Sequence, residues 1–195
     1  MKSKAAKWTA AISTLVIMAS FLLLAAAPAL AQGEQGEGES QIPPELKEKR
    51  QELVGAMAGL RDSMQVLRSD IREYRRGMRE LLQKARSLSR DERWNLIDRI
   101  SSARDEYRET VEEKLKAVKE NAGALKEFIA GAREAYEQGD VDTVLSNLDQ
   151  ALAKVGELKS QLDDLQQVFQ QILDLQRQLI EEAGASSASV QVWAS

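Results

Sequence analysis

Residues 53 to 88, LVGAMAGLRDSMQVLRSDIREYRRGMRELLQKARSL, place an apolar side chain at alternating steps of four and three residues. An average period of 3.5 residues keeps one apolar stripe facing a neighbouring helix along its whole length, whereas a lone surface helix follows a period of 3.6. The stretch therefore predicts a long helix that packs against a long helical partner. The predicted seam consists of Leu53, Met57, Leu60, Met64, Leu67, Ile71, Tyr74, Met78, Leu81, Ala85 and Leu88.

Proline, a capping pattern and a glycine mark the predicted ends of the helices. Proline suits the first position of a helix and disfavours helix in the residue before it, so Pro44 opens a first helix, 44–87. The sequence Ser89-Arg90-Asp91-Glu92 is a capping box and predicts a turn at 88–89 before a second helix, 90–138. One continuous helix over 44–138 stays open, because no glycine or proline separates the two. Gly139-Asp140 predicts the next boundary and a third helix, 140–183.

The second and third helices continue the apolar pattern with different spacings. Consecutive steps of four between Ala103 and Leu115 form a stutter, which predicts a buried or bent middle helix. The second stripe consists of Leu96, Ile100, Ala103, Tyr107, Val111, Leu115, Val118, Ala122, Leu125, Ile129, Ala132 and Tyr136. The third stripe is wider and can face two neighbours. It runs through Val144, Leu148, Leu152, Val155, Leu158, Leu162, Leu165, Phe169, Ile172, Leu175 and Leu179.

These features predict an all-α fold, an elongated antiparallel three-helix bundle or coiled coil over 44–183. At about 1.5 Å per residue each helix would span roughly 65 Å. The first helix is basic and the third is acidic. Short connections make the first and third helices parallel neighbours, so their flanks could match opposite charges.

The N-terminus has the pattern of a signal peptide, which we place at 1–31. Three lysines, Lys2, Lys4 and Lys7, precede an uncharged run up to Ala31. Small residues at Ala29 and Ala31 predict cleavage between Ala31 and Gln32, which would give an extracytoplasmic protein of the secreted fraction, cell envelope or periplasm. An uncleaved membrane anchor stays open, because the run is long enough to cross a bilayer.

Two segments outside the predicted bundle lack an apolar pattern. Residues 32–43 contain QGEQGEGESQ and predict a flexible acidic linker. Gly184 follows the third stripe, so we expect 184–195 to be a flexible tail. Loss of the three lysines of the signal peptide would change the formal net charge from −4 to −7, and we expect no nucleic-acid partner for an exported, acidic chain.

The composition removes the residues on which most catalytic sites depend. The chain contains no cysteine and no histidine. A cysteine nucleophile, a thiolate metal site, a disulfide framework and a histidine base are therefore excluded together. We expect no enzyme activity, no cofactor and no metal.

Regularly spaced arginines form the strongest candidate for a binding site. They recur three, four or seven residues apart on one side of the first helix, with Arg76 nearby. We name this set the arginine flank: Arg61, Arg68, Arg72, Arg75, Arg79 and Arg86. A row of guanidinium groups suits an anionic partner, such as an envelope polymer, anionic lipid or acidic protein. The alternative is an internal row of ion pairs with the acidic third helix, which we favour over a binding site.

Other polar groups are predicted to be solvated helix surface. Carboxylates cluster at Glu109, Glu112 and Glu113, at Asp163-Asp164 and at Glu181-Glu182, but helices without a loop present calcium ligands poorly. The third helix also carries many glutamines, which we expect to be uncharged surface residues: Gln161, Gln166, Gln167, Gln170, Gln171, Gln176 and Gln178.

Part of the chain resembles known helical proteins. The segment from Glu137-Gln138-Gly139-Asp140 to Leu152 resembles the helix-turn-helix joint of tetratricopeptide-type repeats. The layout of an exported segment and three long helices resembles small exported bacterial helical-bundle or coiled-coil proteins of unknown function. It is also similar in outline to helical periplasmic chaperones, although their LTxxQ motif is absent here.

The resemblance and the pattern together predict a non-enzymatic interaction protein: a spacer, an adaptor or a chaperone-like binder of a protein or envelope polymer. The alternative is a protein that binds a membrane surface or an anionic polymer through amphipathic helices. Membrane association would then require a retained signal segment or an opened bundle. Homo-oligomerisation stays open, because the wide third stripe could face a second copy of the chain.

Overall fold

A computed structural model describes residues 43–192, without the side chains of residues 104 and 186–192. The predicted signal peptide and the acidic linker up to residue 42 lie outside the described residues, as do the last three residues of the predicted tail.

The described chain consists of three long helices: α1 (Pro44–Lys84), α2 (Arg90–Glu137) and α3 (Val141–Val192). Within the described residues there is no strand, and the helices pack into a bundle, which confirms the predicted all-α fold at this level. A turn separates α1 from α2. The alternative of one continuous helix over 44–138 is therefore wrong.

The capping box at Ser89 forms as the sequence predicts. The backbone N–H of Ser89 donates to Glu92 Oε2 at 3.0 Å, and the N–H of Glu92 donates back to Ser89 Oγ at 3.4 Å. These two bonds satisfy free donors at the start of α2. α1 ends at Lys84, three residues before the expected position, because residues 85–88 form the turn.

Gly139 and Asp140 make the second boundary. Gly139 has a φ of 76°, a left-handed conformation that favours glycine, and the Asp140 N–H donates to the carbonyl of Ala135 at 3.0 Å. Asp140 then caps α3, since its Oδ1 accepts from the Thr143 N–H at 3.1 Å. The Thr143 hydroxyl also donates to Asp140 Oδ2 at 2.6 Å, and the two hydrogen bonds from Thr143 stabilise the carboxylate and lower the pKa of Asp140.

The third helix does not end at residue 183, as the sequence analysis predicted, but continues to Val192. One glycine inside a helix costs only about 1 kcal/mol relative to alanine, so Gly184 does not suffice to terminate the helix. The segment after Gly184 contains no proline that would block the helical backbone. The expected tail from residue 184 is therefore helical as far as the structure describes it.

The described chain forms two compact units, and every helix contributes to both. The first unit contains the described residues up to Gln65 together with Leu115–Asp163, and the second contains Val66–Lys114 together with the residues from Asp164 onward. In the second unit, α1, α2 and α3 enclose one apolar cluster beside the α1–α2 turn. This cluster consists of Leu81, Ala85, Leu88, Leu96, Leu179 and Ala183.

The buried side chains largely follow the predicted stripes. Nine of the eleven seam residues of α1 are buried, and Tyr74 and Met78 are half-buried. The residue predicted to end the second stripe, Tyr136, was wrong, because Tyr136 is exposed and Ala135 is buried in its place. The middle helix was predicted to be buried or bent; the first alternative does not hold, because α3 contributes more buried side chains than α2. The wide apolar stripe of α3 explains this difference, because a wider stripe packs against two helices at once.

Candidate partner-binding flank

Five members of the arginine flank lie on α1, and the sixth, Arg86, lies in the turn that follows it. Arg61 belongs to the first unit, and the other five belong to the second. Arg61, Arg72, Arg79 and Arg86 are exposed, whereas Arg68 and Arg75 are half-buried at the edge of the core. A helix turns about 100° per residue, so the four members that lie on α1 in the second unit, Arg68, Arg72, Arg75 and Arg79, fall within an arc of roughly 60°. By this geometry the four share one side of α1.

The contacts of α1 with α3 in the second unit lie on the other side of α1. Glu73 Oε1 pairs with Arg177 Nη2 at 2.7 Å, and Lys84 Nζ donates to the Ile180 carbonyl at 3.3 Å. By helical geometry these positions lie roughly 120 to 160° around α1 from the centre of the arginine row. The ion pair with Glu73 also has the opposite polarity, with the acid on α1 and the base on α3.

The predicted row of ion pairs with α3 is therefore wrong for the second unit. Among the described residues, no ion pair or side-chain hydrogen bond joins the guanidinium groups of Arg68, Arg72, Arg79 or Arg86 to an acid. Arg75 has an interaction within the chain, so it is not counted with these four arginines. The sequence shows that opposite charges exist on α1 and α3, but only the packing decides which flanks meet.

The acids of α3 find other partners. Lys114 Nζ on α2 pairs with Asp164 Oδ2 at 3.1 Å, and the Arg99 guanidinium pairs with Glu182. The hydrogen bond from Arg99 lowers the pKa of Glu182, because it stabilises the carboxylate. In the first unit, Lys49 Nζ pairs with Asp149 Oδ1 at 2.7 Å. These pairs use acids that the arginine flank was expected to engage.

The open guanidinium groups repel one another. Arg68 and Arg72 are four residues apart, and Arg72 and Arg79 are seven apart, so no acid interrupts the row along this side of α1. Like charges at a spacing of four cost a helix about 0.2 to 0.5 kcal/mol for each pair. An anionic partner would remove this repulsion. The arrangement can therefore bind phosphate or carboxylate groups, for which the planar guanidinium is suited.

Members of the carboxylate clusters have hydrogen-bond partners outside their own cluster. Glu112 Oε1 accepts from Arg108 Nε at 2.8 Å, and Asp163 Oδ1 accepts from the Ser63 hydroxyl at 3.4 Å. Across the part of the chain that the structure describes, no three acidic side chains are grouped in a way that could hold a metal ion. The helices of that part also include none long and apolar enough to cross a membrane.

A buried polar layer between α1 and α3 was missed by the sequence analysis. Gln176, predicted to be a surface residue, is 5% exposed, and its Nε2 donates to the Tyr74 carbonyl at 3.0 Å. Asp70 is 7% exposed, and its Oδ2 has no partner among the described residues. Burial raises the pKa of Asp70, and the charge of Glu73 raises it further, against an opposing hydrogen bond from Gln170. One signal in the sequence could have indicated the burial of Asp70: it is the neighbour of Ile71, which belongs to the predicted seam.

Comparison with known proteins gives no relative for this chain: no protein family, no curated protein and no solved structure matches it.

Proposed function

We propose that this chain is an exported, non-enzymatic interaction protein of the cell envelope or secreted fraction, acting as a spacer, adaptor or chaperone-like binder. The observation that carries the proposal is a group of arginines in this flank that have no acidic partner. In the second unit, Arg68, Arg72 and Arg79 lie on the side of α1 away from its contacts with α3, and none of the three pairs with an acid among the described residues. A partner with negative charge would complete the surface.

The proposal includes an elongated, antiparallel bundle as the scaffold. In the second unit, Glu73 of α1 contacts Arg177 of α3, and Lys84 contacts Ile180. Residue numbers rise in the same direction along both helices, so α1 and α3 run parallel. α2 runs antiparallel to α3, because the later residue of α2, Lys114, pairs with the earlier residue of α3, Asp164, whereas Arg99 pairs with Glu182. Small-angle X-ray scattering combined with light scattering tests the scaffold, and a compact globular particle in solution would overturn it.

Photo-crosslinking in the producing cell tests the interaction function. A photoreactive amino acid replaces Arg72 on the arginine flank or, as a matched control, Glu80 on another exposed side of α1. We expect a discrete crosslinked adduct outside the cytoplasm from position 72 and none from position 80. Equal labelling at both positions, or no adduct at either, contradicts the proposed surface.

Mass spectrometry of the extracytoplasmic protein tests export independently. We expect an N-terminus at Gln32, after loss of residues 1–31. Protein that retains Met1 in the cytoplasm would contradict export, and a membrane-bound chain with Met1 would contradict cleavage.

The second candidate function is attachment to a membrane surface or an anionic polymer. It is favoured by the single sign of the arginine flank, since a row of bases without acids suits a uniformly anionic target. Binding of the exported protein to soluble polyphosphate, measured by calorimetry at increasing salt, tests it. We expect binding that weakens with salt and is lost in Arg68→Glu/Arg72→Glu. Binding unaffected by this double substitution would contradict a role for the flank.

A further inference from the structure

Three large apolar side chains are exposed on either side of the α1–α2 turn. Leu82 near the end of α1 is 55% exposed, and on α2 Trp94 and Ile97 are 61% and 41% exposed. They lie in the second unit, next to the buried cluster that closes this end of the unit. The fold itself therefore does not use much of their apolar surface. Each exposed side chain of this kind carries an unfavourable contact with water that a partner could remove.

Hydrogen bonds at the turn fix which side of α2 faces the end of α1. Arg93 of α2 donates from Nε to the Ala85 carbonyl at 2.9 Å and from Nη2 to the Arg86 and Leu88 carbonyls at 3.1 Å each. The side of α2 that carries Arg93 therefore faces the end of α1. Ile97 follows Arg93 by four residues and lies roughly 40° from it around the helix.

Two members of the arginine flank lie close to Leu82 along the chain. Arg79 precedes Leu82 by three residues on α1, so the two share one side of the helix, and Arg86 lies in the turn four residues after Leu82. Neither guanidinium has an acidic partner among the described residues. We name this set the turn-end surface: Leu82, Trp94, Ile97, Arg79 and Arg86.

This combination matches the boundary between lipid headgroups and acyl chains. Leucine and isoleucine can enter the apolar layer, the indole has an apolar body with one polar N–H, and arginine can reach lipid phosphates while its stem stays in apolar surroundings. A polymer that carried only charge would engage the arginines and leave Leu82 and Trp94 in water. The apolar side chains thus favour a lipid surface over a soluble polyanion at this end of α1.

A second copy of the chain fits the turn-end surface less well. Three acids of α3 are engaged within the chain and are not open to the arginines of a second copy, since Asp164, Glu182 and Asp149 pair with Lys114, Arg99 and Lys49. Asp91 and Asp98 of α2 lie beside Trp94 and limit the cationic surface to the side that faces α1. The surface is thus a small apolar area with positive charge on one border.

We propose that the turn-end surface docks on membranes rich in anionic phospholipid while the bundle stays closed. Leu82, Trp94 and Ile97 enter the headgroup region, and Arg79 and Arg86 lie against the lipid phosphates. The inference rests on the second candidate function and adds to it the lipid class and the residues in contact. It differs from attachment by an opened bundle, because the buried seam stays buried.

Vesicle flotation tests the docking with the protein in the form that the cell exports. The probes are vesicles of phosphatidylcholine alone and vesicles of phosphatidylcholine mixed with phosphatidylglycerol. We expect flotation with the anionic vesicles only and weaker flotation as salt is raised. Far-ultraviolet circular dichroism should show the same helicity with and without vesicles, as a closed bundle requires.

Matched variants locate the contact. Leu82→Gln/Trp94→Gln should lower the partition coefficient at least about tenfold, since each side chain of this size gains about one decade from leaving water. Val66→Gln is the control, because Val66 is an apolar side chain of the second unit that is 43% exposed on another side of α1.

Arg79→Gln/Arg86→Gln should lower binding about 25-fold, or about fivefold for each arginine. Lys126→Gln/Lys159→Gln, in the first unit, changes the net charge equally and should leave binding unchanged.

The outcomes separate this inference from the function on which it rests. Anionic vesicles that bind all variants equally would overturn the turn-end surface and leave membrane attachment standing. Absence of vesicle binding together with salt-sensitive polyphosphate binding would overturn lipid docking and support a polymer binder. Absence of both would overturn the second candidate function as well. A bundle that loses its fold in contact with vesicles would overturn docking in the closed state.

Discussion

Gly77 of α1 leaves the space that the carboxamide of Gln176 occupies. A Cβ atom at this position would overlap the carboxamide oxygen and carbon. The carboxamide cannot move away freely, because Gln176 is buried and its Nε2 is hydrogen-bonded to the Tyr74 carbonyl. The requirement for glycine at residue 77 therefore comes from a side chain of another helix.

We expect Gly77→Ala to lower the free energy of unfolding by about 1 to 2 kcal/mol, although alanine is the better helix former by about 1 kcal/mol. Gly59→Ala is the matched control, since nothing lies within 4 Å of a Cβ there, and it should stabilise the protein. Urea unfolding of both variants measures the difference. Equal stability of the two would show that Gln176 relaxes without cost.

Asp70 provides a second prediction in the same polar layer. Burial raises the pKa of its carboxyl group above the ordinary value of 3.8, so the folded state favours the protonated form. The contribution of Asp70 to stability is therefore greatest below pH 3.8 and is lost as the pH rises through the raised folded-state pKa.

We expect Asp70→Asn to stabilise the protein by about 1 to 2 kcal/mol at neutral pH, because it removes a buried charge with an unpartnered oxygen. The gain over the native protein should shrink as the pH falls below the folded-state pKa, which thermal melts at several pH values would measure. Asp62→Asn, at an exposed position on α1, should show no such pH-dependent gain. A gain that stays constant with pH would contradict the raised pKa.

At the scale of the elements, Arg93 joins the first turn of α2 to the end of α1. Its guanidinium donates to three backbone carbonyls, those of Ala85, Arg86 and Leu88. Carbonyls at the end of a helix lack partners within the helix, so these bonds satisfy acceptors that would otherwise depend on water. The capping box explains where α2 begins, and Arg93 explains how α1 is held against it.

We expect Arg93→Met to lower the free energy of unfolding by about 1 kcal/mol, since the apolar stem is kept and the donors are lost. Arg93→Lys should lose most of the same stability, because one ammonium group cannot reproduce the planar fork of donors. Arg90→Met is the control, at a neighbouring exposed position on α2. Native-like stability of Arg93→Met would contradict a stabilising role for the guanidinium at this turn.

Several boundaries of the elements were predictable because they depend on neighbouring residues. The capping box at Ser89 and the left-handed Gly139 each act within a few residues, and both occur where the pattern indicates. The end of α3 was not predictable in this way. A single glycine is a weak signal, and α3 continues past Gly184 to Val192.

At the scale of the whole molecule, the charges of α1 are divided between two sides of the helix. In the second unit, Glu73 pairs with α3 on one side, whereas Arg68, Arg72 and Arg79 lie on the other side without an acidic partner among the described residues.

We expect Arg68→Glu/Arg72→Glu to change the free energy of unfolding by no more than about 0.5 kcal/mol, since neither side chain pairs with an acid among the described residues. Thermal melts at low salt measure this effect. Arg99→Glu/Arg177→Glu changes the charge equally but places repulsion at the contacts with Glu182 and Glu73, so it should lower the melting temperature. A strong loss of stability in Arg68→Glu/Arg72→Glu would restore an internal role for the arginine flank.

The sequence alone determined the helical class of the fold and the heptad seam that begins in α1. It also predicted both connections between helices, although it left one continuous helix over 44–138 open. Periodicity and capping are properties of short stretches of chain, so a reader of the sequence can recover them. It also placed the arginines on one side of a helix, because their spacing matches the helical repeat. Export remains a prediction from the N-terminal pattern.

Only the tertiary structure decided what these surfaces face. It turned the arginine flank away from the side of α1 that contacts α3, buried Asp70 and Gln176 between α1 and α3, and left Leu82 and Trp94 exposed. The physical reason is that a heptad stripe specifies which residues enter the core, whereas the rotation of each helix about its axis depends on packing against both neighbours. That rotation selects which flanks meet, and therefore which charges are left for a partner.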